Sequence, residues 1–290
     1  MDLVTKFLQH VDERFASESR SSLLAKAKFS FAGAAQIAVW TVDTGTMQDY
    51  LRNDETTGES PREVLDEVNA GRSLYGSIER INAGATLYNL EKDRSFTFIV
   101  DALDLNETAG VLGAAEALAR QTREKIIPEV DTFVINKMIA GAGTKPAAKA
   151  LTEENIYEEI IAGNAVLDEN MVPESDRVLL VTPQTLLLLK KCEHILLDSD
   201  IAESMILRGA VAQVDGLKIV KIPSSRVPSD FGFMIAHPSA TAAPEKLRSF
   251  NVHVNPPGIN GSLIEGRINY GAFVLPNKTK GIYCQAITES

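Results

Sequence analysis

Sulfur chemistry has little to work with in this chain: the only cysteines among 290 residues are Cys192 and Cys284, isolated and far apart. Two such thiols suit a reduced compartment and small buried side chains, and they argue against a disulfide-stapled secreted scaffold. Basic charge is also scarce. Lys and Arg total 29 against 39 Asp and Glu, a net charge of −10, which argues against a nucleic-acid surface built on a broad basic field. No apolar run approaches the roughly 20 residues that cross a bilayer. Residues 1–20 carry Asp12, Glu13, Arg14 and Glu18 where a secretion signal has a basic start and an apolar core. A soluble protein made in the cytoplasm is expected. Internal repeats and low-complexity tracts are lacking too.

Catalytic residue types are thin. The histidines are His10, His194, His237 and His253. The one close grouping, Cys192-Glu193-His194, lacks the second pair that a structural metal site needs. His237, before Pro238, ends a strand and reads as a structural imidazole. Asp101 and Asp104 could in principle form an acid–base or metal pair. Asp104 is read instead as a helix cap, and Asp101 as a strand-end residue facing Arg94 or a base from a neighbouring chain. Gly141-Ala142-Gly143-Thr144-Lys145 evokes a phosphate loop, but that pattern needs glycine directly before the lysine and Ser or Thr after it. Thr144 and Pro146 stand there, so the stretch reads as a linker. No Gly-x-Ser-x-Gly nucleophile elbow occurs. The expectation is therefore no enzyme, with no catalytic, cofactor-binding or metal-binding residues and no cofactor.

What is present is architecture. Hydrophobic residues make up 44% and charged residues 23% of the chain, near the averages of folded proteins. Leu3, Val4, Phe7, Leu8, Val11 and Phe15 recur at helical spacing. They suit a terminal helix packed on its own domain or an arm reaching a neighbouring chain. Ile37 to Val42 is β-prone. From Asp43 to about Gly84 the chain turns polar, with Asp54, Glu55, Glu59, Glu63, Asp66 and Glu67 among glycines. Ile78–Ile81 and Ala85–Leu90 suggest two strands around an Asn82-Ala83-Gly84 turn, and the segment as a whole reads as a long hairpin projecting from the body.

The run from Leu87 to Thr108 then alternates as a strand and enters a very long helix. Asp104 and Glu107 have capping-box spacing. Val111, Ala115, Leu118, Thr122 and Ile126 share one face, Val130, Phe133, Val134, Lys137 and Met138 continue it, and Gly141 ends it. Pro128 should interrupt the helix and kink it. If helical throughout, the element spans on the order of 50 Å.

Beyond the 141–149 linker an α/β pattern follows. Thr152 caps a helix carrying Ile156, Ile160 and Ile161. Arg177–Val181 is a short buried strand, and Thr182-Pro183 opens the helix of Leu186–Leu189. Ile201–Leu207 reads as a helix. Leu217–Ile222 and Phe231–Ala236 read as strands around a turn bracketed by Pro223 and Pro228. The last stretch is β: Phe250–Val254, Ile264–Leu275 and Ile282–Ile287.

Taken in order, several segments resemble the major capsid proteins of tailed bacteriophages, which have the Hong Kong phage capsid fold shared with encapsulins. They are Tyr88-x-Leu90-x-x-Asp93-Arg94-Ser95-Phe96-x-Phe98-x-x-Asp101-x-x-Asp104-x-x-Glu107-Thr108; Arg123 to Pro128-Glu129-Val130-Asp131; Val181-Thr182-Pro183; Leu217–Val220; His237-Pro238; and Gly266-Arg267-x-x-Tyr270-x-x-Phe273-Val274-Leu275. The resemblance runs from about Phe29 to Ala286. It implies an α+β fold with an N-terminal arm (1–36), an extended β-hairpin loop (43–86) lying over the next subunit, and a peripheral domain (37–42, 87–149 and 246–290) on a spine helix at about 105–140. An axial α/β domain (150–245) completes it.

The function so implied is a major capsid protein that self-assembles into hexamers and pentamers of an icosahedral shell. That shell encloses double-stranded phage DNA without sequence-specific binding, in a virion assembled in the host bacterial cytoplasm. Implied partners are further copies of the chain, a separate scaffolding protein (no fused scaffold segment precedes the arm) and a portal protein, with no membrane. Two alternatives are an encapsulin-like nanocompartment shell and, further off, an α/β enzyme with an unrecognised site.

Overall fold

A computed structural model describes residues 21–25, 36–42, 44–47, 80–102, 114–192 and 213–288. The periodic stretch Leu3–Phe15, the acidic run 54–67, Asp104 with Glu107 and the expected helix 201–207 lie outside them. The chain divides into two units, residues 36–88 and residues 1–35 with 89–290.

In the smaller unit, β1 (Gln36–Val42) pairs with β2 (Ala83–Asn89) as a two-stranded ribbon. This corrects the expected turn at Asn82-Ala83-Gly84. Ala83 and Gly84 lie in a strand whose partner is β1, and the Thr41 hydroxyl donates to the Gly84 carbonyl. A Cβ on Gly84 would stand 3.4 Å from Thr41 Oγ1, an ordinary contact, so the strand here accepts the glycine without requiring it, where the sequence alone suggested a turn.

The larger unit opens with a helical turn, α1 (Ser21–Leu24). A long antiparallel sheet follows, ordered β3 (Lys92–Asp101), β10 (Gly261–Tyr270), β9 (Glu245–Val254). Strict alternation sends Phe96, Phe98, Val100, Ile264, Ile268, Phe250 and Val252 to the core side. Gly266 sits at the centre of this face because a Cβ there would lie 2.3 Å from the Phe96 ring.

Against that side packs a continuous helical element: α2 (Ala114–Gln121), a π turn over Thr122–Ile126, and α3 (Ile127–Ala140). The expected interruption at Pro128 takes the form of this π turn. Proline supplies no N–H to the carbonyl four residues back and its ring crowds that carbonyl. The wider turn passes both problems over: the Ile127 N–H reaches back to Thr122 O, and the Thr122 hydroxyl donates to Leu118 O at 2.9 Å. Leu118, Thr122, Ile126, Val130, Val134 and Met138 are buried, as the spacing predicts.

A five-stranded mixed sheet forms the second half of this unit, ordered β12 (Ile282–Ala286), β7 (Phe231–Ala236), β4 (Val178–Val181), β6 (Leu217–Lys221), β5 (Gln213–Val214), with β4 and β6 parallel. Its two faces feed two cores. Val178, Leu180, Met234, Ala236, Ile282 and Cys284 join the core of α3 and the three-stranded sheet. Leu179, Val181, Phe233, Ile235 and Tyr283 face the opposite way, under α4 (Ile156–Glu169) and α5 (Pro183–Lys191). Covered on both faces, β4 reads as an unbroken apolar run. A two-stranded pair, β8 (Thr241–Ala242) with β11 (Phe273–Val274), lies along the connection.

The Thr182 hydroxyl caps α5 as expected, accepting from Thr185 N–H at 3.2 Å. Thr152, however, does not cap α4 directly. It forms a reciprocal pair with Asn155 in the preceding turn, Thr152 N–H to Asn155 Oδ1 and Asn155 N–H to Thr152 Oγ1. Within 246–290, β10 pairs with both β9 and β3, while Ile282–Ala286 pairs with β7 at the edge of the five-stranded sheet. Its unbroken run Ile282-Tyr283-Cys284 suits a strand buried on both faces, which that sheet provides.

Candidate functional site

Those residues singled out for chemistry that the structure describes are spread out. His237 caps a short 3-10 turn (Pro238–Ala240), its Nδ1 accepting from the Ser239 N–H, and burial pushes its pKa down. Such a histidine holds backbone in place. His253 Nε2 lies 3.4 Å from Glu265 on the exposed sheet face. Cys192 and Cys284 are buried, and burial pushes the Cys284 thiol up to about 11, away from reactivity. His10, His194 and Asp104 fall outside the described residues.

Asp101 stands at the end of β3, but seven residues of strand, about 23 Å, part it from Arg94. The expected contact between them does not form, and Arg94 meets Glu129 of α3 at 2.7 Å. Lys145 donates to the Ala140 carbonyl, while Gly141 and Gly143 are pressed against Val274 and the Thr279 backbone. A Cβ at Gly143 would come within 2.6 Å of that backbone, so these glycines serve a linker crossing and do not cradle a phosphate.

A cleft of about 280 Å³ opens between β3, β10 and the π turn, floored by Phe96, Ile126 and Ile268 with Arg94, Lys125 and Glu129 at its mouth. Glu129 accepts from both Arg94 and the Tyr270 hydroxyl (3.2 Å). Burial and the adjacent Glu129 push the Tyr270 pKa well up. A carboxylate committed to two donors and a phenol held protonated make a structural clamp between sheet and helix, poorly placed for acid–base work. Among the described residues no group of three or more His, Cys, Asp or Glu could hold a metal, and no helix is long and apolar enough to cross a membrane.

What the structure does offer is surface. On the outer face of the three-stranded sheet Arg267 grips Asp93 with two hydrogen bonds, at 2.9 and 2.6 Å, holding the Asp93 pKa below the ordinary carboxylate range. On the ribbon, Trp40 and Val42 project from the same face of β1 and are 66% and 58% exposed. Leu87 on β2 is exposed as well. A two-stranded ribbon is marginal alone in water, and this one carries an exposed tryptophan.

Sequence reasoning quoted Glu129, Asp131 and Tyr270 only as members of a pattern and gave them no role. Asp131, 0% exposed on α3, accepts from the Ser21 N–H (3.0 Å) and from Arg226 (3.1 Å), so it joins α1, the spine and the turn before β7. A carboxylate on the buried stripe of a helix was the available signal.

No family model and no curated protein sequence matches this chain. Solved structures do. One from Mycobacterium phage Che8 superposes with a TM-score of 0.71 at 19% identity, over 92% of this chain and 90% of that one. The mature capsid of bacteriophage PhiM1 gives 0.68 at 14%, over 94% and 88%. A virus-like particle from Pyrococcus furiosus gives 0.56 at 11%, over 98% and 100%. The chain has the mixed helix-and-sheet fold of the phage capsid proteins, the one its sequence resembles.

Proposed function

We propose that this protein is the major capsid protein of a tailed phage, assembling from hexamers and pentamers into an icosahedral shell around double-stranded DNA. The observation that carries the reading is the exposed apolar ribbon on a chain that matches capsid structures over 92–94% of its length. Trp40, Val42 and Leu87 are left for another copy to cover. In this reading residues 37–42, 87–149 and most of 246–281 form a peripheral domain, and 150–245 with Ile282–Ala286 the axial one. The segment 43–86 extends over the neighbouring subunit. Burial of apolar area at roughly 25 cal/mol per Å², repeated over many identical contacts, supports closure of the shell. The acidic surface lets enclosed DNA stay mobile, and a scaffolding protein and a portal protein complete the assembly pathway. The protein is then a virion component with no catalytic role.

The match to the Pyrococcus furiosus particle over all of that chain favours a second reading, a compartment shell enclosing protein cargo. Electron microscopy of the purified protein tests both. Closed shells are expected, and Trp40→Ser should raise the concentration needed to form them about tenfold. Co-purifying nuclease-resistant DNA favours the phage reading, and a discrete protein cargo the compartment. A protein that stays monomeric at high concentration ends both readings, and tight, salt-sensitive DNA binding by the isolated subunit contradicts an acidic, non-adhesive inner wall.

A further inference from the structure

The most heavily built polar network in the described residues serves a surface loop. Arg177, 2% exposed, donates from Nε to Pro173 O (2.9 Å), from Nη2 to Val172 O (2.5 Å) and from Nη1 to Asn164 Oδ1 (2.5 Å). It also pairs with Asp168 at 2.6 Å. Asn164 in turn donates to the Asp215 side chain at 2.9 Å, tying in the β5–β6 turn. One buried guanidinium thus fixes the loop after α4 and, through Asn164, a second turn beside it.

The loop it fixes is conformationally strained. α4 ends in a Schellman arrangement, Met171 N–H to Asp168 O and Val172 N–H to Leu167 O. The position that glycine usually fills is Met171, at φ 55°, and Asp176 five residues on has φ 63°. A long unbranched side chain in the left-handed region costs stability that glycine would spare. That side chain gains no compensating burial, because it is 90% exposed. Strain retained around an exposed apolar group, on a loop rigidified by a buried arginine, marks a preorganised contact.

We infer that Met171 is a contact residue for a second copy of this chain, presented by the Arg177-held loop 170–177; the inference rests on the shell-forming reading. Charge narrows the occupant. Glu169 and Glu174 flank Met171 and are exposed, so nucleic acid is repelled. A second copy can offer exposed cations with no ion pair among the described residues, Lys218 and Lys221 among them. The contact is heterologous, a protrusion on one copy meeting a different surface on the next, which is the kind that closes rings.

The test follows self-association of the full chain by sedimentation, alongside the melting temperature of the dissociated subunit. Met171→Gly relieves the backbone and removes the side chain. It should leave melting unchanged or raised while weakening association about tenfold. Met171→Leu keeps an apolar side chain and should associate like wild type. Association of Met171→Gly at wild-type concentrations overturns the inference and leaves the shell reading standing. Parallel loss of melting temperature and association also overturns it, since Met171 would then act through the fold. Wild-type protein that associates through Met171 without closing shells keeps the inference and removes the shell reading.

Discussion

Asp131 gives the sharpest quantitative test of how the fold is held. Its carboxylate is fully buried on α3, and the Arg226 guanidinium, 21% exposed, reaches Oδ2 while the Ser21 N–H holds Oδ1. Arg226→Ala removes the cation paired with a buried carboxylate, and breaking one side of such a pair costs about 3–5 kcal/mol. The Ser21 N–H stays on the carboxylate and places the expected loss near the lower end, about 3 kcal/mol, or roughly a hundredfold in the folding equilibrium. Asp131→Asn keeps an oxygen for Ser21 and frees Arg226 to turn into water, so about 1–2 kcal/mol is expected. The double variant should lose less than the sum by about 1–2 kcal/mol, because Arg226→Ala no longer isolates a charge. Urea unfolding of the dissociated subunit, followed by circular dichroism, reads all three. An Arg226→Ala variant within about 0.5 kcal/mol of wild type, or a strictly additive cycle, refutes the reasoning, since both results mean the carboxylate never depended on its partner.

Two further outcomes follow from the same geometry. Gly266→Ala should destabilise by about 1–3 kcal/mol through overpacking against Phe96, measured by the same urea titration, and Phe96→Leu in the same chain should recover part of the loss. His237 has its pKa lowered by burial first, with Asp176 opposing and Lys278 and Arg177 adding to the effect. The unfolded chain therefore binds more protons below about pH 6.5, and stability should fall as pH drops through that window toward the folded value. His237→Asn keeps a cap acceptor for the Ser239 N–H but cannot titrate, so its stability should vary less between pH 7 and 5, as read from melting temperatures.

Signals that are local were legible from the residues. The alternation of Arg94 to Val100, the three- and four-residue steps from Leu118 to Met138, the Thr182-Pro183 helix start and the apolar run Val178–Val181 each depend on neighbours within a turn or a strand. They fixed element type and most of the core. Even the glycine after Ala140 ended its helix where expected. Asn82-Ala83-Gly84 misled because a small-residue cluster that marks a turn can equally run in an exposed strand. Thr41, forty-three residues away, decides between them.

Partner choice was out of reach for the same reason. Arg94 could be read toward Asp101 because both lie on one strand, yet pleating keeps residues seven apart on opposite faces and far apart, and Glu129 arrives from a helix. Ile282–Ala286 could be read with the strands before it, while only the packed sheet shows that β7 offers a free edge. Composition and short-range periodicity were enough for the order of most described elements, the buried stripes and the acidic, cysteine-poor character of the chain. The tertiary structure alone decided the Asp131 and Arg177 networks, the strain at Met171 and the bare face of Trp40. Those depend on which distant groups meet and which meet nothing, and chain folding over a hundred residues sets that where local preference cannot.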